Sequence, residues 1–114
     1  MESFKVQAAE CFQKQDFAEA VKVYDKCLEL DPHNKTYNCS IYLNRSMANQ
    51  RNGDLDKALE DLDEAIRLNS SYIKAYIKRG DIQMQKEAWQ EAVGDYETAK
   101  NLDHSRQFDT RQKL

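Results

Sequence analysis

The sequence predicts an all-α fold built from three helix–turn–helix pairs. Turn-forming residues are scarce, apolar residues recur at helical spacing, and one pattern of small and apolar residues occurs three times. The chain of 114 residues holds 3 Gly and 1 Pro, too few for a many-turned sheet protein. Hydrophobic residues make up 40% and charged residues 32%, the balance of a globular protein with a thin core and a heavily charged surface.

The repeat is clearest in the second half of each unit. Segments 16–32, 54–70 and 87–103 align without gaps, the last displaced by one residue. Phe17, Leu55 and Trp89 correspond, as do Ala20, Ala58 and Ala92, then Tyr24, Leu62 and Tyr96, then Cys27, Ala65 and Ala99. The alanines Ala20, Ala58 and Ala92 lie 38 and then 34 residues apart. Within each segment the apolar positions step by three and four, giving one stripe along a helix. Asp16 with Glu19 three residues on has the spacing of a capping box, Asp54 stands ahead of the second stripe, and Pro32 follows the first. On this pattern the aromatic residues Tyr24, Trp89 and Tyr96 are core residues.

The stretches between, about 2–14, 36–51 and 71–86, are expected to be helices with weaker apolar faces. Each has a small residue near its middle, Ala8, Ser46 and Gly80, which allows close approach to the alanines of the helix that follows. Together these give repeats at approximately 1–34, 39–70 and 73–104 within a single domain, 1–114. Residues 105–114 remain as a capping segment and the start of a linker.

A helix–turn–helix period of 34 residues with these small and aromatic positions resembles the tetratricopeptide repeat. Ala20, Tyr24, Cys27 and Pro32, then Ala58, Leu62 and Ala65, then Ala92, Tyr96 and Ala99 match the second-helix half of that pattern. Phe4 with Ala8, Tyr42 with Ser46, and Tyr76 with Gly80 match the first. Departures are Gln7, Arg45 and Arg79 at the usual leucine, Ser70 and His104 at the usual proline, and four extra residues before the second repeat. The resemblance implies a right-handed α–α superhelix, with the first (A) helix of each pair lining a concave groove and the second (B) helix forming the convex back.

Sorted by helix, the A helices are net positive and the B helices strongly negative, within a total of -3. A basic inner face attracts an acidic ligand. A further resemblance sharpens this. Chaperone-binding members of the family carry a carboxylate clamp for the C-terminal E-E-V-D tail of cytosolic heat-shock chaperones, with K-x3-N in the first A helix, N in the second and K-x3-R in the third. Lys5, Asn44 and Lys74 match, while Ala9 replaces the first asparagine and Lys78 replaces the arginine. Alanine offers no donor where asparagine offers an amide, a loss of roughly 1.5–3 kcal/mol for a bond to a charged group. Lysine keeps the charge of arginine without its planar fork. The resemblance therefore implies a partly degenerate clamp of Lys5, Asn44, Lys74 and Lys78, with apolar contacts from Phe12 and Met47, Phe12 being as well suited to the core. The third repeat also resembles that of co-chaperones which join these repeats to a J domain, so that the chain would be a fragment of a longer protein. The alternative is a scaffold that binds a folded partner or a second copy of itself, with Arg45 and Arg79 as anchors.

Other classes find little support. His33 and His104 stand apart from other ligands, and the nucleotide and nucleophile motifs are missing. Carboxylate pairs such as Asp61 with Glu64 are expected on the solvent side of their helix rather than in a catalytic role. No enzyme activity, cofactor, metal, nucleic acid or membrane partner is expected. Cys11, Cys27 and Cys39, odd in number and without C-x-x-C spacing, fit small buried residues in a reducing compartment. With no signal-peptide pattern at the N-terminus, the expected location is the cytoplasm.

Overall fold

The computed structural model describes residues 2–113, with side chains described for residue 4 and residues 6–105. Six helices follow in order: α1 (Glu2–Gln13), α2 (Phe17–Leu30), α3 (Lys35–Arg51), α4 (Leu55–Leu68), α5 (Ile73–Gln85) and α6 (Trp89–Lys113). No strand occurs among the described residues. The chain forms two compact units, one of residues 1–70 with α1 to α4 and one of residues 71–114 with α5 and α6.

The helix boundaries follow from local chemistry. Asp16, Asn34 and Asp54 each accept a bond from the backbone N–H three residues on, at 3.3, 3.1 and 3.4 Å, satisfying a donor that the first helical turn leaves open. The A helices all end in the same way. Asp16 N–H bonds the Cys11 carbonyl, Asp54 that of Asn49 and Ala88 that of Gln83, each at 2.8 Å, alongside Gln15 to Phe12, Gly53 to Gln50 and Glu87 to Met84, each at 3.0 Å. That pair of hydrogen bonds is the Schellman closure, and it requires a left-handed residue. Gln15, Gly53 and Glu87 fill it at φ of 60, 83 and 63°. Only the second repeat uses the residue that adopts this conformation without strain.

In the first unit α1 packs on α2, α2 on α3 and α3 on α4. Ala8, Ala20, Val23, Tyr24, Cys27, Ile41 and Ala48 form a buried cluster, flanked by Phe4, Cys11, Phe12, Val21, Leu28 and Tyr37. The repeat alanines Ala20, Ala58 and Ala92 and the small residues Ala8 and Ser46 are fully buried. In the second unit α5 packs on α6, and Gly80 meets an aromatic ring rather than an alanine. A Cβ on Gly80 would lie 2.8 Å from Tyr96 Cε1, so the small residue makes room for Tyr96.

Three expectations about burial need correction. Trp89, expected in the core, is 53% exposed, and Val93 beside it 52%. In α2 the corresponding Phe17 lies edge-on to Phe12, with ring centroids 5.3 Å apart. At Phe12's place in the third repeat stands Met84, itself exposed, so no ring closes over Trp89. Asp61, expected on the solvent side, is buried, for reasons given below. Of the three free cysteines, Cys27 and Cys39 are buried but Cys11 only half so. Helix α6 runs on through His104 to Lys113 without a break.

Candidate functional site

The first unit holds a cleft of about 290 Å³ lined by Ala9 and Phe12 of α1, Tyr24 of α2, and Asn44 and Met47 of α3. Ala9 and Phe12 are one turn apart on α1, and Asn44 and Met47 one turn apart on α3. Residues at that spacing share a helix face. Most of the lining is apolar. Tyr24 is buried, and burial, with smaller contributions from Cys27 and Cys11, pushes its hydroxyl above the usual phenol range. Asn44 supplies an amide that can both donate and accept.

The cleft thus brings together Asn44, Phe12 and Met47 from the sequence-derived set. Phe12 flanks the core cluster and also lines the cleft. Lys5 lies on α1 one turn before Ala9, and its side chain falls outside the described residues. Lys74 and Lys78 belong to the second unit. They lie one turn apart on α5, Lys74 exposed and Lys78 half-buried.

The two arginines expected as partner anchors are engaged within their own units. Arg45 donates from Nη2 to Asp61 at 2.6 Å and from Nε to both Asp61 oxygens at 3.1 Å, and Asn49 Nδ2 adds a bond to the same carboxylate at 2.8 Å. Its Nη1 reaches Asp25 on α2 at 2.7 Å. Arg79 grips Asp95 through Nε and Nη2, both at 2.7 Å. Asp61 and Asp95 are only 4% and 6% exposed. Burial pulls the Arg45 guanidinium down, but its bonds to Asp61, the Asp61 charge and then Asp25 outweigh this and hold it above its ordinary value. Each arginine also lies over the ring one turn earlier, Arg45 at 5.4 Å from Tyr42 and Arg79 at 5.6 Å from Tyr76.

This Tyr–Arg–Asp arrangement, repeated 34 residues apart, links an A helix to its own B helix. Its signal in the sequence is the equal interval from Arg45 to Arg79 and from Asp61 to Asp95. The first repeat has Gln7 and Val23 at these places, changing both partners together, as a coupled pair requires.

Among the described residues no group of three or more His, Cys, Asp or Glu side chains could hold a metal ion, and no helix is long and apolar enough to cross a membrane. Glu64, the other half of the expected carboxylate pair, is bonded by Arg67 at 2.7 Å.

Comparison with known proteins agrees with this geometry. A tetratricopeptide repeat model matches residues 2–34, and a TPR repeat model matches residues 51–87. The human DnaJ homolog subfamily C member 7 is 37% identical over 97 residues, covering 82% of this chain and 20% of its own length. The chain thus spans about a fifth of that relative. The second TPR of Spaghetti (RPAP3), solved bound to the HSP90 peptide SRMEEVD, superposes with a TM-score of 0.77 at 28% identity, covering 88% of this chain and 89% of that one. The second TPR domain of human RPAP3 in complex with the HSP70 peptide SGPTIEEVD superposes with a TM-score of 0.77 at 28% identity, over 88% of this chain and 80% of that one. Paired helices with buried alanines 38 and then 34 residues apart, two matched repeat models and superposition over most of the chain together establish that it belongs to the tetratricopeptide-repeat family.

Proposed function

We propose that the chain is the interaction module of a co-chaperone and binds the acidic C-terminal tail, of the E-E-V-D type, of cytosolic heat-shock chaperones. Lys5, Asn44, Lys74 and Lys78 would meet the tail's carboxylates, and Phe12 and Met47 its apolar part. The observation that carries the reading is the cleft of the first unit. It lies at the two clamp positions of α1 and α3, Ala9 and Asn44, in a chain similar to domains solved with tails ending in E-E-V-D. The role is binding rather than catalysis, and the place of action is the cytoplasm with its chaperones.

The scaffold alternative is weakened, because Arg45 and Arg79, its candidate anchors, are held by Asp61 and Asp95. The test is a fluorescence titration with SRMEEVD and with the same peptide amidated at its C-terminus. The free acid should bind about tenfold more tightly or better, the worth of one charged hydrogen bond, and Lys74→Ala should abolish binding. Equal affinity for acid and amide ends the clamp reading. Unchanged binding in Lys74→Ala transfers the argument to a scaffold.

A further inference from the structure

In the first unit α3 covers one face of α2. Val21 and Asp25 of that face line a pocket with Arg45 and Asn49 of α3, and Arg45 Nη1 reaches Asp25 at 2.7 Å. Further along α2, Asn38 Nδ2 donates to the Asp31 carbonyl at 2.8 Å. The two contacts make α3 antiparallel to α2. Ile41, midway between Asn38 and Arg45, therefore stands level with Leu28, which packs against the same buried cluster.

Helix α6 repeats the start of this face without a cover. Trp89, Val93 and Glu97 hold the places of Phe17, Val21 and Asp25. Phe17 and Val21 are half-buried, whereas Trp89 and Val93 are exposed. Glu97 is exposed and has no ion-pair partner among the described residues. Leu28's place is taken by Lys100, also exposed. Residues 105–113, expected from the sequence as a cap, extend α6 instead. At about 1.5 Å per residue they carry the chain roughly 30 Å past Val93 before it can turn back. A second copy stacked through its α1 brings Gln7 at Arg45's place, and so no charge for Glu97.

We infer that this face of α6 docks an amphipathic helix of a partner protein, which sets an arginine on Glu97, an acid one turn earlier on Lys100, and apolar residues over Trp89 and Val93. The arginine is the counterpart of Arg45. The acid falls at Ile41's place, because antiparallel packing puts that position level with Lys100. Opposite charges at the two points fix the direction of the helix and reject helices with like charges there. The surface lies on α6, apart from the cleft of the first unit, and does not rest on the tail-binding reading.

The probe is a peptide of residues 35–51 carrying Ile41→Glu and held helical by a lactam bridge on the side away from Arg45. Trp89 is the single tryptophan of the chain and the peptide has none, so Trp89 emission reads this face alone. Saturable movement of that emission to shorter wavelength is expected. Val93→Ala should weaken binding about tenfold, and Glu97→Arg at least about fivefold. A peptide that also carries Arg45→Glu should bind Glu97→Arg and not the unsubstituted chain. Lys100→Leu should turn the preference from the Ile41→Glu peptide to the peptide with Ile41 retained. The substituted side chains are exposed, and circular dichroism checks that each variant folds. No saturable shift with the helical peptide, or no recovery in the charge-swapped pair, overturns the inference. A shift that grows with chain concentration in the absence of peptide overturns it in favour of a second copy on this face.

Discussion

Replacing Arg45 with methionine isolates the buried ion pair of the second repeat. The side chain is of similar length and keeps the apolar stem, but the guanidinium is lost. Asp61, 4% exposed, is then left with the single bond from Asn49 at 2.8 Å. Removing one partner from a buried pair costs roughly 3–5 kcal/mol, because the remaining charge stays buried without compensation. The lower end applies, since the Arg45 side chain is itself 22% exposed. Total stability for domains of this size is roughly 5–15 kcal/mol, so a loss of about 3 kcal/mol is a large fraction of it. Asp25→Ala should cost about 1 kcal/mol or less, because that carboxylate is 49% exposed and an exposed ion pair contributes little. The double variant Arg45→Met with Asp61→Leu should return most of the loss, since a packed apolar pair commonly replaces a buried ion pair without penalty. Urea unfolding followed by circular dichroism reads all three. With slopes of about 1–3 kcal/mol/M, Arg45→Met should lower the midpoint by roughly 1–3 M. The single tryptophan, Trp89 in α6, reports separately on the second unit. A cost for Arg45→Met no larger than that of Asp25→Ala, or a double variant less stable than Arg45→Met alone, refutes the argument that Asp61 depends on Arg45.

Other outcomes follow from the turns and from Tyr96. Gln15→Gly and Glu87→Gly should each raise the unfolding free energy by about 1 kcal/mol, relieving a left-handed residue that carries a Cβ, whereas Gly53→Ala should lower it by a similar amount. Gly80→Ala should destabilise despite its gain of about 1 kcal/mol in helix propensity, because the new methyl meets the Tyr96 ring at 2.8 Å. A lower melting temperature checks this. The Tyr96 hydroxyl donates to Asp81 at 2.6 Å, and that bond first, then burial, then the Asp81 charge, push its pKa up to about 12. The folded value lies above the ordinary one near 10, so the stabilising contribution is complete below pH 10 and disappears as the pH rises toward 12. Ultraviolet titration should show Tyr96 ionising late, as the raised Tyr24 also does, and Asp81→Ala should shift the Tyr96 transition down while leaving that of Tyr24 in place.

The residues legible in the sequence were those whose type and spacing agree. Ala20, Ala58 and Ala92 recur on apolar stripes and are buried, because only small residues at a fixed interval permit the repeated close approach of paired helices. Asp16 and Asp54 were legible as caps, since an acid ahead of an apolar stripe has a local use. Asp61 was missed because type and spacing conflict. It stands three residues after Ala58 and four before Ala65, on the buried stripe, but among Asp56, Glu60, Asp63 and Glu64 it resembles another solvent-facing acid. Its burial depends on Arg45, sixteen residues earlier, and only a comparison of one repeat with the next exposes that dependence. Trp89 failed in the opposite way. Its type suits a core, but the residue at Phe12's place is exposed Met84. Asn44 was singled out through the clamp pattern and Phe12 and Met47 as apolar groove residues, and all three line the cleft, whereas the part that Tyr24 plays in its wall has no signature along the chain.

The internal use of the arginines also decides what kind of recognition remains for a ligand. In the sequence the positive excess of the A helices includes Arg45 and Arg79, the two side chains able to grip a carboxylate with parallel bonds. Both already do so, on Asp61 and Asp95, and the internal carboxylates neutralise their charge. Set against the clamp pattern, the chain has Lys78 where the pattern has arginine and Ala9 where it has the first asparagine. The charge that the motif leaves for a tail is therefore ammonium, a hydrated point charge with little directional demand. Lysines attract an acidic segment without fixing its register closely. The rigid, shaped element is the cleft of Ala9, Phe12, Tyr24, Asn44 and Met47, whose walls stand on three packed helices. On the proposed tail-binding reading, the lysines would supply attraction to acidic tails, and the largely apolar cleft of α1, α2 and α3 would supply the shaped contact.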